Sequence, residues 1–246
     1  KTSSMGTTFN GDGRFVVCDA HTMKRLVARD MPFYANIDTS TGATQSSKST
    51  LCWPQHIVVV SPEKAYIQYS TADNESHSGI RIVDLQTNII RTSDIPGTFG
   101  VFTKTGATKA RMIFSRGKVF AGRGNSVIVL DPATDAVIKT VTYENRQVKD
   151  LAKGYDGKIY AIFTGEFTGN SGMTGAASFT KPAMIVALDA NGEVVSETNL
   201  PEQIELRTGT ASPTVQMCAS FTQPHLYFIG KQDFSANEAM RYNYET

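Results

Sequence analysis

Val127-Ile128-Val129-Leu130-Asp131-Pro132-Ala133-Thr134 joins an apolar run to the pattern Asp-x-x-Thr. The run has the length and β-branched content of a buried strand. The Asp and Thr that follow suit a tight turn, because their side-chain oxygens accept nearby backbone N–H groups. The phrase recurs at Val16-Val17-Cys18-Asp19-Ala20-His21-Thr22 and at Ile82-Val83-Asp84-Leu85-Gln86-Thr87. A degenerate copy is Ile185-Val186-Ala187-Leu188-Asp189-Ala190-Asn191-Gly192. The four Asp residues lie 65, 47 and 58 positions apart. Repetition on this scale denotes an array of similar small sheets.

A second phrase interleaves with the first: a turn, then a short apolar strand. Its copies begin at Pro62-Glu63-Lys64, Arg116-Gly117-Lys118, Asp156-Gly157-Lys158 and Gln223-Pro224-His225. Candidate strands precede these turns (His56 to Ser61, Arg111 to Ser115, Val148 to Lys153, Val215 to Phe221). Others follow the Asp phrases (Ile89 to Ile95, Val137 to Tyr143, Val194 to Leu200). Four antiparallel strands per unit, repeated at about 40–45 residues plus loops, predict an all-β fold, a β-propeller of four-stranded blades. The blade units are expected at roughly 11–31 (partial), 54–97, 109–145, 147–201 and 213–246 (partial), about four blades' worth of what is expected to be a seven-bladed ring. Extra length falls in loops at Tyr34 to Trp53, Pro96 to Thr108 and Gly165 to Pro182.

Composition narrows the partners. With 24 basic against 23 acidic residues the formal charge is +1. That is too little basic excess to hold a phosphate backbone, so no nucleic-acid partner is expected. No apolar stretch approaches about 18 residues, so no transmembrane segment is expected. Three cysteines cannot form a full disulfide set. Cys18 and Cys218 are expected as buried free thiols within strands, and a Cys52–Cys218 bridge is the alternative.

The Asp-x-x-Thr strand ends, Asp156-Gly157-Lys158-Ile159-Tyr160, and Pro54-Gln55 entering an innermost strand resemble the YncE-like, surface-layer-type β-propellers. Within these, the chain is similar to Bacteroidota propellers of the DUF5074 type, across roughly residues 11 to 245. The resemblance implies a secreted or lipid-anchored protein at the cell surface or in the periplasm. Any lipid anchor would lie outside this chain, since Cys18 sits in a strand phrase and not after a hydrophobic leader. It also implies, from some members, uptake of a cobalamin-like nutrient.

No residue set marks chemistry. The Asp of each repeat is expected to cap its turn, and Asn10-Gly11-Asp12-Gly13 and Asp189 to Glu193 lack the spacing of a calcium loop. The four histidines are not spaced for a metal, and no nucleophile elbow or His-Glu-x-x-His occurs. No catalytic residue, metal ligand or cofactor is assigned. Function is expected on the face shared by the loops between second and third strands and by the blade connections. The candidate ligand-binding residues there are Trp53, Gln55, His77, Phe99, Arg111, Arg123, Lys149, Phe167 and Gln216. The expected function is non-enzymatic binding of a small molecule or an envelope protein partner. The alternatives are a propeller enzyme (hydrolase, lyase or quinone-dependent) with a channel site, and a purely structural surface scaffold.

Overall fold

A computed structural model describes residues 14–31, 34–37, 44–50, 52–71, 77–101, 111–168, 178–201, 217–233 and 236–245. The described chain is built from strands. An initial antiparallel pair, β1 (Arg14–Cys18) and β2 (Arg25–Asp30), is followed by a separate hairpin, β3 (Tyr34–Ile37) and β4 (Thr44–Thr50). The first four-stranded unit runs β5 (Cys52–Ser61), β6 (Lys64–Thr71), β7 (His77–Asp84), β8 (Ile89–Asp94), with a short β9 (Gly100–Val101) added to β7. The second is β10 (Met112–Ser115), β11 (Lys118–Arg123), β12 (Ser126–Asp131), β13 (Ala136–Thr142). The third starts with β14 (Val148–Lys153) and β15 (Ile159–Phe163), and is interrupted by a hairpin, β16 (Glu166–Thr168) and β17 (Ser178–Lys181). It resumes with β18 (Met184–Leu188) and β19 (Val194–Asn199). Last come β20 (Met217–Ala219), β21 (His225–Asp233) and β22 (Ala236–Asn243). All described pairings are antiparallel and, apart from β9 on β7, follow chain order within each sheet, as a propeller blade requires.

The blades stack face to face, and this explains why the middle strands β15 and β18 of the third unit are buried at every position and apolar throughout. On β15, Ile159, Ala161 and Phe163 pack with Phe120, Val127 and Val129 of the preceding blade. The alternate residues Tyr160 and Ile162 pack with Met217, Leu226 and Phe228 of the next. Successive strand side chains point to opposite faces, so a strand covered on both faces favours apolar residues at successive positions. Between the first two full blades the core is Tyr66, Ile80, Ile82 and Ile95 against Met112, Val119, Ala121, Ile128 and Leu130. Phe15 and Met31 lay the β1–β2 pair on the outer face of the first blade. Outermost strands escape this constraint, and β19 is exposed at four successive positions from Val194.

The repeated Asp residues do what the sequence predicts. Asp19 Oδ1 accepts the N–H groups of His21 (3.0 Å) and Thr22 (2.7 Å), and Asp84 Oδ1 those of Gln86 (2.9 Å) and Thr87 (2.8 Å). Asp131 takes Ala133 N–H, and Asp189 takes those of Asn191 and Glu193. These bonds lead the causes that hold the Asp19, Asp84 and Asp131 carboxyls below their ordinary range. Each turn then places one residue in the left-handed region: Met23, Asn88, Asp135 and Gly192. The Arg116-Gly117 turn has positive φ at both residues, 49° and 77°, the geometry that matches strand twist in a two-residue hairpin.

Two expectations change. The loops from Tyr34 and from Gly165 contain the hairpins β3–β4 and β16–β17. Cys18 and Cys218 are free but exposed, because both lie on strands with an uncovered face; Cys218 therefore forms no bridge to Cys52. Asn10 to Gly13 lie outside the described residues.

Candidate functional site

The turns that join first to second strands, and third to fourth, share one face. The other loops and the blade connections share the opposite face. On the turn face, Lys64 Nζ of one blade bonds Pro132 O and Asp135 (2.8 Å) of the next, and Tyr66 Oη joins the same carboxylate, so adjacent turns are stapled together. The loop face is organised by the innermost strands β5, β10, β14 and β20.

Register aligns these four strands. Tyr66, Phe120, Tyr160 and Tyr227 face Val58, Ile113, Ala152 and Cys218. Two residues earlier, toward the loop face, stand His56, Arg111 and Asp150. Gln216 lies outside the described residues. His56 Nδ1 accepts Met112 N–H of the next blade at 3.2 Å. Burial, then the Arg111 charge, pushes the His56 imidazole below its ordinary range, so it is neutral at pH 7. Arg111 donates Nη2 (2.8 Å) and Nε (3.1 Å) to the two oxygens of Asp150 in the following blade. Asp150 also accepts the backbone N–H groups of Leu151 (2.9 Å) and, one blade further, Met217 (2.7 Å). This carboxylate is 3% exposed and ties three successive innermost strands together. Asp150 was absent from the sequence-based candidates, although a carboxylate two residues into an inner strand, just before Leu151 and Ala152, is a visible signal.

Two arginines fix the loop-face rim. Arg123 Nη1 bonds Gly97 O (2.7 Å) and Phe99 O (3.3 Å), so this candidate ligand residue holds the connection after β8 in place. Phe99, another candidate, is half-buried there. Arg146, buried, donates to Thr164 O (2.8 Å) and Pro182 O (2.7 Å), closing the base of the β16–β17 hairpin, where Lys181 pairs with Glu166 at 2.8 Å. The backbone is locked as well: Val148 N–H bonds Gly124 O, and Thr164 N–H bonds Gln147 O.

Gln55 and Lys149 occupy equivalent irregularities. On β5 the pairing steps from Pro54↔Tyr69 to His56↔Gln68, and on β14 from Val148↔Phe163 to Asp150↔Ile162. Each skipped residue is a bulge position, which re-aims its side chain. Lys149 is half-buried and makes no hydrogen bond or ion pair with any described residue. Burial alone lowers its amine from 10.5 to about 8. Gln68, opposite His56, donates Nε2 to Gly122 O, while its buried Oε1 has no partner among the described residues.

Trp53, second in β5, and His77, first in β7, lie opposite Ser70 and Val101, and Phe167 on β16 faces Phe179. All three backbones border the loop face, and their side chains are outside the described set. Among the described residues no three His, Cys, Asp or Glu side chains converge as a metal centre, and no helix is long and apolar enough to cross a membrane.

A family model described as a domain of unknown function, DUF5074, matches residues 3–246. No curated protein matches. Among solved structures, the chain is similar to the β-propeller domain of Cps50 (Swd1) from Myceliophteria thermophila, at TM-score 0.47 and 10% identity. The match covers 89% of this chain and 61% of that one. It is similar to a Bacteroides caccae protein of unknown function at TM-score 0.44 and 11% identity, covering 88% and 67%. Hydrazine synthase from Kuenenia stuttgartiensis gives TM-score 0.44 and 16% identity, over 88% and 67%. The chain thus spans about three fifths of the length of the first of these structures.

Proposed function

The chain belongs to the DUF5074 family, and on that premise we propose that it is a non-enzymatic binding module of the cell envelope whose loop face takes a small molecule. The observation that supports this reading is the fixed rim. Arg123 and Arg146 spend their charge on main-chain carbonyls of the surrounding loops, and Asp150 fastens the inner strands beneath them. A rim held this way loses little conformational freedom when a ligand arrives, which is the condition for tight small-molecule binding. The turn face is also tied between blades, through Lys64 and Asp135, but its repeated Asp side chains are consumed by local caps.

Cyanocobalamin and a panel of small carboxylates and phosphates are the first probes, read by calorimetry and by amide exchange. The expected result is saturable binding with protection in residues 95–101, 143–147 and 164–168. Protection confined to the turns around Asp84 and Asp131 would refute the reading, as would an absence of binding across the panel. Surface proteolysis of intact producing cells tests the location, and resistance equal to that of a cytoplasmic marker would refute it.

A further inference from the structure

We infer that Lys149 is the anion anchor of the loop face: its ammonium group takes a carboxylate or phosphate oxygen of the bound molecule. The inference rests on the loop face being the binding face and adds the chemical class of ligand. Three observations converge on this side chain. It sits on the innermost strand at the end nearest the loops, on a bulge that departs from the ladder. It is half-buried, so it has lost part of its hydration yet stays reachable from solvent. It has no acceptor among the described residues.

The neighbouring charges are already committed. On the strands packed against β14 the charged and titratable groups are Lys118 and Arg123 on β11, Tyr160 on β15 and Cys218 on β20, with Arg111 just before β10 and Asp150 and Lys153 on β14 itself. Lys118 pairs with Asp131, and the Tyr160 hydroxyl bonds Asp156. Arg111 and Asp150 neutralise one another, and Arg123 is turned to Gly97 O and Phe99 O. His56 accepts a backbone N–H and is neutral. A partly desolvated ammonium with no counter-charge is costly, and an anion offsets that cost. Burial acts on the amine without any opposing acid, holding it near 8. It is therefore still mostly protonated at pH 7, and its attraction for anions fades as pH rises above that value. The sign follows from linkage: an anion that binds only the charged form raises the pKa of the amine it binds.

The test follows the lysine side-chain amines by NMR in the intact chain, with Lys149 assigned by Lys149→Arg. It is titrated in sodium chloride and in inorganic phosphate at equal ionic strength. The expected result is a Lys149 pKa near 8 in chloride that climbs by at least one unit, saturably, in phosphate, while the other lysines shift little. Succinate in a parallel series separates carboxylate from phosphate preference. Thermal melts give a second readout: Lys149→Met folds but loses the phosphate-dependent rise in melting temperature, and Lys149→Arg keeps it. A Lys149 pKa unmoved by both anions overturns the inference, and so does a Lys149→Met variant that keeps the rise. If a probe protects the loop face with an affinity unchanged in Lys149→Met, the anchor fails and the face stands. If anions raise the Lys149 pKa but no panel molecule protects residues 95–101, 143–147 and 164–168, the anion site stands and the small-molecule reading of the loop face fails.

Discussion

Asp150→Ala removes a side chain that bonds three successive innermost strands. Its carboxylate accepts two guanidinium N–H groups from Arg111 and the backbone N–H groups of Leu151 and Met217. Met217 is itself buried, so its N–H is left without water or partner when the carboxylate goes. An orphaned buried donor costs about 1–3 kcal/mol. Breaking a buried ion pair from one side costs about 3–5 kcal/mol. The Arg111 side chain is 41% exposed and regains hydration, which places the total at the lower end, about 3 kcal/mol. For a chain of this size that corresponds to a melting temperature lower by about 6–12 °C. Circular dichroism melts and urea titrations of Asp150→Ala, Arg111→Ala and the double variant form the assay. Arg111→Ala is expected to destabilise comparably, because it leaves the 3%-exposed carboxylate without its cation. The double variant is expected to be less destabilised than the sum of the two. A stability loss under about 0.5 kcal/mol for Asp150→Ala, the range of ordinary surface changes, would refute the role of this carboxylate as the tie between blades.

Three further outcomes are expected. Asp84→Ala and Asp131→Ala lower the melting temperature and leave loop-face binding unchanged. Because both carboxyls are held below their ordinary range in the fold, their contribution is present above about pH 4 and is lost as pH falls through the depressed folded value, so each variant has a shallower acid limb of stability against pH. Gly79→Ala destabilises by about 1–3 kcal/mol in a urea titration, since the added Cβ would fall 2.8 Å from Asp94 Oδ1 and 2.9 Å from Tyr69 Oη, against the buried pair of Arg81 and Asp94. Arg146→Ala accelerates amide exchange at Thr164 to Thr168 and Lys181, the hairpin base whose carbonyls it holds, but not in β12; equal acceleration in both would mean that the clamp is global.

Much of the fold was legible because its signals are local. The strand from Val127 to Leu130 and the Asp131 cap need only neighbouring residues to declare themselves, and the same holds for Arg116-Gly117. The hairpins β3–β4 and β16–β17 were not legible: Thr44 to Thr50 reads Thr-Gln-Ser-Ser-Lys-Ser-Thr, with no apolar alternation to mark a strand. The cysteines misled for a related reason, since a strand residue is buried only where another sheet covers its face. The candidate site was legible as a face. Its residues could be placed there by topology, but the roles of individual side chains could not be assigned.

The sequence by itself therefore determined the blades, their order and the turn that ends each Asp phrase, because alternation and side-chain capping act over a few residues. Only the tertiary structure decided which charges are spent and which remain. Arg111 meets a carboxylate 39 residues away, His56 a backbone N–H 56 away and Asp150 another 67 away, and no local pattern encodes these partners. Arg111, Arg123 and Lys149 are equivalent in the sequence as basic residues near strand ends that border the loop face. Stacking the blades turns Arg111 into a tie and Arg123 into a clamp, and leaves Lys149 as a half-buried amine on a bulge.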